Sequence, residues 1–221
     1  MARVLLGVTG SVAALKTPSL VDALLQAGHD VRVVATQASL YFFDPAELTT
    51  RAVPLFRDED EWPGERYQRD HPVLHIELRR WADLLLLAPL DANTLAKLAV
   101  GLSDNCLTCV VRAWEPTRPI LLAPAMNTLM WQHPLTRRHL QALCEEEGLP
   151  CELDDLIAAL NARPGPYRIV PPISKRLACG DVGVGAMAEL DVIVAAVQQS
   201  LQEHSTSRGV ASPATEASHA Q

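Results

Sequence analysis

Residues 4–12 read Val-Leu-Leu-Gly-Val-Thr-Gly-Ser-Val, and residues 31–36 read Val-Arg-Val-Val-Ala-Thr. The first apolar run, Val4–Val8, has the length and continuity of a buried strand, and Gly10-Ser11 turns the chain after it. Apolar residues then fall at Val12, Leu15, Leu20, Val21, Leu24 and Leu25, one face of a helix that Gly28 stops before a second strand at Val31–Ala35. Strand, glycine turn, helix and strand in that order begin a parallel sheet. The pattern predicts a doubly wound α/β fold.

The rest of the chain continues the alternation. Leu84–Ala88 reads as a strand ended by Pro89, Asn93–Val100 as a helix stopped by Gly101, and Asn105–Ala113 as another helix. Ile120–Ala123 is a further buried strand ended by Pro124, followed by a helix over Leu135–Cys144 and a short last strand at Ile169-Val170. Leu190, Ile193, Val194, Val197 and Leu201 mark an amphipathic closing helix. The charged stretch Arg57–His71, with Pro63 and Gly64, reads as a mobile loop. Glu145–Pro166 reads as an insertion with a short helix over Leu153–Leu160. Residues 1–203 are expected to form one domain, and the Ser/Ala/Thr-rich residues 204–221 a disordered tail.

A chain of 221 residues with 48% hydrophobic and 20% charged residues has enough interior to fold as one globular unit. Its net charge of −7 argues against nucleic acid as the main partner, because a binder of phosphate backbones carries a basic face. No apolar run is long enough to span a bilayer. The five cysteines, Cys106, Cys109, Cys144, Cys151 and Cys179, are odd in number and lack disulfide-framework spacing, which points to a reducing, cytoplasmic setting. Cys106 and Cys109 form C-x-x-C, but no second Cys/His pair stands at zinc spacing. Inside an apolar run such cysteines are more often small buried hydrophobes, so no metal is expected.

Five stretches offer chemistry, each against a plainer reading. The turn Gly10-Ser11-Val12 can present backbone N–H groups and a hydroxyl to an anion at a positive helix end; it lacks dinucleotide and Walker spacing, so a mononucleotide phosphate fits better than NAD or ATP. The plainer reading is a strand–helix turn. Leu90, Asp91, Ala92 and Asn93 follow a strand, where open α/β sheets bind ligands, although Asp91 or Asn93 could simply cap a helix. Pro124–Trp131 offers the Asn127 amide to a carboxylate and Met126 and Met130 to a ring; alternatively it packs as core. His75 precedes a strand and could titrate near neutrality, yet the chain holds seven histidines. Lys175 to Asp181, continuing through Gly183, Gly185 and Met187, suggests a glycine-hinged flap whose cations suit phosphate or carboxylate, with the Cys179 thiol between them.

Taken together, Pro-Ala-Met-Asn-Thr-Leu-Met-Trp at 124–131 and Ala-Cys-Gly-Asp at 178–181, continuing through the Gly-Ala-Met-Ala-Glu stretch at 185–189, resemble the flavin-containing cysteine decarboxylases, including their plant halotolerance-type members. The resemblance covers Val4 to about Leu201. It implies a flavodoxin-like, Rossmann-like α/β domain, an FMN cofactor and a homotrimer with sites near subunit contacts. It also implies decarboxylation of 4′-phosphopantothenoylcysteine to 4′-phosphopantetheine in coenzyme A biosynthesis. By resemblance, Gly10, Ser11 and Val12 meet the FMN phosphate, Thr36 and Ser39 meet FMN after the second strand, and Leu90, Asp91, Ala92, Asn93 and Met126 contact the flavin. His75 is the active-site histidine, Asn127 the carboxylate ligand and Cys179 the catalytic thiol of a flap. Arg176, Ala178 and Met187 are substrate-contacting.

In that scheme oxidised FMN takes a hydride equivalent from the sulfur-bearing carbon, giving a thioaldehyde β to the carboxylate. Loss of CO2 leaves an ene-thiolate, reduced FMN returns the hydride, and Cys179 supplies the proton. A flavin-binding regulatory subunit that inhibits a phosphatase is the rival of a different class; retention of both His75 and Cys179 disfavours it. A peptidyl-cysteine decarboxylase is a second rival, weakly opposed by the flap cations. A flavin prenyltransferase would lack this flap pattern.

Overall fold

The computed structural model describes residues 1–64, 66–67, 69–148, 155–162, 165–176 and 182–210. Strand β1 (Arg3–Val8) leads through a turn into α1 (Thr17–Gln26) and β2 (Asp30–Ala35). Then come α2 (Ala46–Thr49), β3 (Leu55–Phe56), α3 (Asp58–Glu61) and α4 (Leu74–Trp81). Next follow β4 (Leu84–Leu90), α5 (Ala92–Val100), α6 (Cys106–Arg112) and β5 (Ile120–Pro124). The chain closes with α7 (Thr128–Trp131), α8 (Pro134–Glu146), α9 (Leu156–Ala162), β6 (Tyr167–Ile169), the hairpin β7 (Ile173–Arg176) and β8 (Val182–Ala186), and α10 (Leu190–Val210).

Six strands form one parallel sheet in the order β3-β2-β1-β4-β5-β6. The chain winds outward from β1 through β2 to β3, then returns to lay β4, β5 and β6 on the other side. Order therefore reverses between β1 and β4, the position where doubly wound sheets open a crevice at their carboxyl ends. Discounting the two-residue β3, the order is that of the flavodoxin-like sheet.

Strand alternation divides the interior in two. Val4, Leu6 and Val8 of β1, with Leu84 and Leu86 of β4, face α1 and α10. Leu5 of β1, with Leu85 and Leu87 of β4, faces α4, α5, α6 and α8. Every residue of β4 and β5 is buried, as expected of strands covered on both faces. Each fully buried leucine contributes about 1.5–3 kcal/mol relative to exposure, so this double burial fixes the strand register.

Four local departures from the sequence reading have physical causes. Val12–Lys16 forms a 3-10 turn, and the α-helix starts only at Thr17, with Pro18 in its first turn. In a 3-10 turn i and i+3 eclipse, so Val12 and Leu15 leave the expected buried face together, at 44% and 63% exposure. Strand β4 does not end at Pro89 but resumes pairing at Leu90, opposite Pro124, past a register shift. The Arg57–His71 stretch opens with helix α3, where the Asp60 carboxylate accepts the Arg57 N–H at 2.8 Å. The short strand expected at Ile169-Val170 lies at Tyr167–Ile169 and is followed by a hairpin. Helix α10 runs on to Val210.

The amino ends of β1 and β4 are tied by one pair. Asp83 Oδ2 accepts the Arg3 backbone N–H at 2.8 Å, and its Oδ1 lies 2.8 Å from the Arg3 guanidinium. Burial lifts the Asp83 carboxyl, but the hydrogen bonds from Arg3 outweigh it and hold the group below the usual carboxylate range. Its stabilisation is therefore present above the unfolded carboxylate pKa of roughly 4 and is lost as pH falls through the folded value. Asp83→Asn is expected to lower stability by about 0.5–1 kcal/mol at neutral pH, the pair being partly exposed and screened. Thermal melts of variant and wild type should converge below roughly pH 4; a gap that persists in acid would locate the contribution elsewhere.

Candidate active site

The carboxyl edge of the sheet is assembled around Thr9, which follows β1 and is fully buried. Its hydroxyl donates to Pro89 O at 2.8 Å and accepts the Asp91 N–H at 2.7 Å, so the loops after β1 and β4 are joined at the crevice. Asp91 then caps α5, its Oδ1 accepting the Thr94 N–H at 2.7 Å. The capping reading holds for Asp91, and the same cap fixes where this carboxylate stands. Ser11 caps the 3-10 turn after β1, its hydroxyl accepting the Ala13 N–H at 3.3 Å.

Gly10 sits where three loops meet. A Cβ there would come 2.7 Å from Ala38 Cβ and 3.3 Å from Asp91 Oδ2, so only glycine lets the loops after β1, β2 and β4 close to this distance. In the β2 loop, Thr36 N–H and hydroxyl both donate to Val8 O, at 3.0 and 3.3 Å. The buried Ser39 hydroxyl donates to Thr36 O at 2.7 Å. Gly10, Ser11, Thr36, Ser39 and Asp91 are thus brought to one edge. Leu90 is wholly buried at that edge, and Ala92 and Asn93 open α5.

The fourth loop, after β5, carries Met126 and Asn127. Asn127 caps α7: its Oδ1 accepts the Leu129 N–H at 2.8 Å, so Nδ2 is the amide end that can donate. Strand β8 seats directly on this loop. Met126 N–H donates to Gly185 O at 2.9 Å, and Gly185 has φ +146°, a conformation that excludes ordinary side chains. A Cβ at Gly185 would collide with Met126 O.

The β7–β8 hairpin is also anchored to the turn after β1. Lys175 of β7 and Lys16 of the turn both pair with Glu189, at 3.0 and 3.3 Å. Hydrogen bonds from Lys175 and then Lys16 hold this exposed carboxyl below its ordinary range. Lys175, read from sequence as a cation for substrate, is thus engaged with Glu189. Arg176 ends β7. Ala178 and Cys179 lie outside the described residues, and Met187 is buried at 3% exposure in the core beside Ile193.

His75 lies near the start of α4, a helix the sequence reading missed. The cavity it lines, of about 350 Å³, is walled by residues that include Glu61, Trp62, Tyr67, His71 and Val73. Glu61 Oε1 is 2.6 Å from His75 Nδ1. The C-x-x-C pair is on α6: Cys106 is buried, Cys109 half-buried, and both are free thiols, as is Cys144. Burial first, then Glu61 and Asp58, push the Cys106 thiol far up, which suits a packed thiol and not a redox nucleophile. Among the described residues no cluster of three or more His, Cys, Asp or Glu could hold a metal ion.

Thr9, Glu61 and Glu189 were given no role from sequence, and Gly185 was read there only as a hinge glycine of the flap. Of the first three, only Glu61 left a signal there, within the acidic run Asp58–Glu61.

The Flavoprotein family model matches residues 1–202. The chain is 50% identical over 203 residues to phosphopantothenoylcysteine decarboxylase of Mus musculus, spanning 91% of this chain and 88% of the relative. It is 50% identical over 196 residues to the protein of the same name from Arabidopsis thaliana, spanning 89% and 83%. Among solved structures it is similar to a cysteine-to-serine mutant of PPC decarboxylase complexed with pantothenoylaminoethenethiol, with TM-score 0.75 and 47% identity over 90% of this chain and 97% of that one. It is also similar to the FMN binding protein AtHal3, with TM-score 0.72 and 48% identity over 90% and 95%.

The thiol environments give a direct check. On brief treatment of the native protein with iodoacetamide near neutral pH, Cys106 should stay unmodified and Cys109 should react slowly, its thiol raised by burial and then by Glu61. Both should react fully after unfolding, as read by peptide mass spectrometry. Rapid labelling of native Cys106 would contradict its buried place on α6.

Proposed function

The chain belongs to the Flavoprotein family, and from that membership we propose that it binds FMN and converts 4′-phosphopantothenoylcysteine to 4′-phosphopantetheine and CO2 in coenzyme A biosynthesis. One observation carries this reading: about half the residues are shared, along nine-tenths of the chain, with relatives named phosphopantothenoylcysteine decarboxylase. The residues present fit FMN. Gly10 leaves the loops after β1, β2 and β4 free of a Cβ that would fill their meeting point, and that point lies at the switch of an open α/β sheet.

When bound, FMN supplies a reversible two-electron sink, without which the carbanion left by decarboxylation has nowhere to delocalise. The chain's own groups position and protonate. Ser11 and the turn around it hold the phosphate end of the cofactor, with Gly10 and Val12, at a helix start. Thr36, Ser39, Leu90, Asp91, Ala92, Asn93 and Met126 line its body. Asn127 donates from Nδ2 to the substrate carboxylate, a positioning role. His75 faces substrate as orienter or base, Arg176, Ala178 and Met187 contact it, and Cys179 on the flap returns the proton. A structure of a cysteine-to-serine PPC decarboxylase mutant with pantothenoylaminoethenethiol supports a cysteine at the centre of this chemistry.

The reading includes assembly into a homotrimer with active sites near subunit contacts. Leu129 of α7 and Val182 of β8, elements that pack on each other, are 73% and 76% exposed, and Met130, Leu135 and Val184 are further exposed apolar side chains of this part of the chain. Exposed apolar side chains gathered on two packed elements would suit a subunit contact. It includes a cytoplasmic setting, supported by the free thiols Cys106, Cys109 and Cys144. No described helix is long and apolar enough to cross a membrane. The small-molecule substrate is the partner that matters for activity.

The purified protein should be yellow, lose turnover when FMN is stripped, and regain it on reconstitution. Full activity of the stripped protein would end the reading. Cys179→Ser should still consume substrate and release CO2 but stop before the final reduced product, by mass analysis. His75→Asn should keep FMN and lose decarboxylation by roughly 10²-fold or more. Unchanged product formation in either variant would remove that residue from the chemistry.

A further inference from the structure

The acidic run Asp58–Glu61 has no role in the chemistry above, yet it forms a short helix wedged between two longer ones. Asp58 Oδ1 accepts the Cys106 N–H at 2.9 Å, at the start of α6. Glu61 Oε2 accepts the His75 N–H at 2.9 Å, at the start of α4, where Val73 provides no side-chain cap. One oxygen suffices to cap a helix. The second, Oε1, stands 2.6 Å from His75 Nδ1. The Glu61 side chain is 5% exposed and the His75 side chain 23%, so this two-point contact is largely shielded from water.

Donor and acceptor chemistry sets the direction of the second contact. A backbone N–H can only donate, so Oε2 is an acceptor, and a carboxylate offers acceptors alone. Oε1 is then matched by an Nδ1–H donor, which leaves Nε2 of a neutral imidazole with the lone pair. The Glu61 carboxylate also bears on the Cys106 thiol, which burial first and then that charge push up.

We propose that Glu61 is a positioning residue for the decarboxylation. It holds His75 by its backbone and its ring at once, selecting the Nδ1–H tautomer and presenting Nε2 to the substrate. This rests on the reading of His75 as the histidine that faces substrate. The arrangement has the logic of a carboxylate behind a catalytic histidine, where the orienting group sets tautomer and ring angle without entering the reaction.

The test uses full-length, FMN-loaded protein with 15N-labelled histidine, His75 being assigned by its loss in H75N. Wild type should show the Nδ1-protonated tautomer. Glu61→Gln keeps a carbonyl oxygen for the His75 N–H but sets an amide donor against the ring, so Nδ1 should become the acceptor and Nε2 carry the proton. kcat should fall roughly 10-fold or more, with FMN content and melting temperature near wild type and KM little changed. Glu61→Asp retains acceptor-only chemistry; it should keep the Nδ1–H tautomer and more of kcat than E61Q. That ordering is the readout if E61Q binds FMN poorly. An Nδ1–H tautomer in E61Q, or kcat equal to wild type with the tautomer inverted, would overturn the proposal. If H75N itself turned over normally, the failure would belong to the role of His75, and the tautomer signal would still report whether Glu61 orders the ring.

Discussion

The carboxyl edge of this sheet depends on one threonine hydroxyl. Thr9 stands at the place where the chain's winding changes direction, between the adjacent strands β1 and β4, from which the strand order runs outward in opposite directions. Its Oγ1 both gives to Pro89 O and takes from the Asp91 N–H, and it is sealed from water. Each such bond is worth about 1 kcal/mol net, but a buried group deprived of its partner costs about 1–3 kcal/mol. Two backbone groups and one side chain are satisfied by this single atom. That fixes the turn after β1 against the start of α5, and with it the spacing between Ser11, Gly10 and Asp91.

From this joint the other pieces follow in sequence. The loop after β2 is held by Thr36 to Val8 O, immediately before Thr9. The loop after β5 is held to β4 by the bond from Ala125 N–H to Leu90 O, immediately before Asp91. The hairpin in turn rests on the β5 loop through Met126 and Gly185, and reaches back to the first turn through Glu189. The site is therefore a ring of short bonds laid over a sheet whose strands cannot slide, because both faces are buried.

What the sequence made legible follows the same division. Apolar runs declared β1, β2, β4 and β5, and Gly101 marked the end of α5, while α6 and α8 were legible as helical spans over Asn105–Ala113 and Leu135–Cys144. Each of these elements is dictated locally. Strand ends bearing polar residues pointed to the loops at Gly10, Asp91 and Asn127, the resemblance added the loop at Thr36, and these loops are joined at the carboxyl edge. Helix α4 stayed hidden because it fully buries only Leu78 and carries Glu77, Arg79 and Arg80. Helix α3 stayed hidden because four acidic residues in a row look solvated, and their partners, His75 and Cys106, lie 14 and 48 positions away. Thr9 was invisible for the same reason, since its partners are some eighty residues distant. Long-range polar pairing leaves no periodic trace.

The two outermost strands are stubs, two residues in β3 and three in β6. A sheet border of that length presents almost no row of open amide and carbonyl groups for a foreign strand to zip onto. The main sheet thus carries at its borders a built-in guard against fibrous, ladder-like growth.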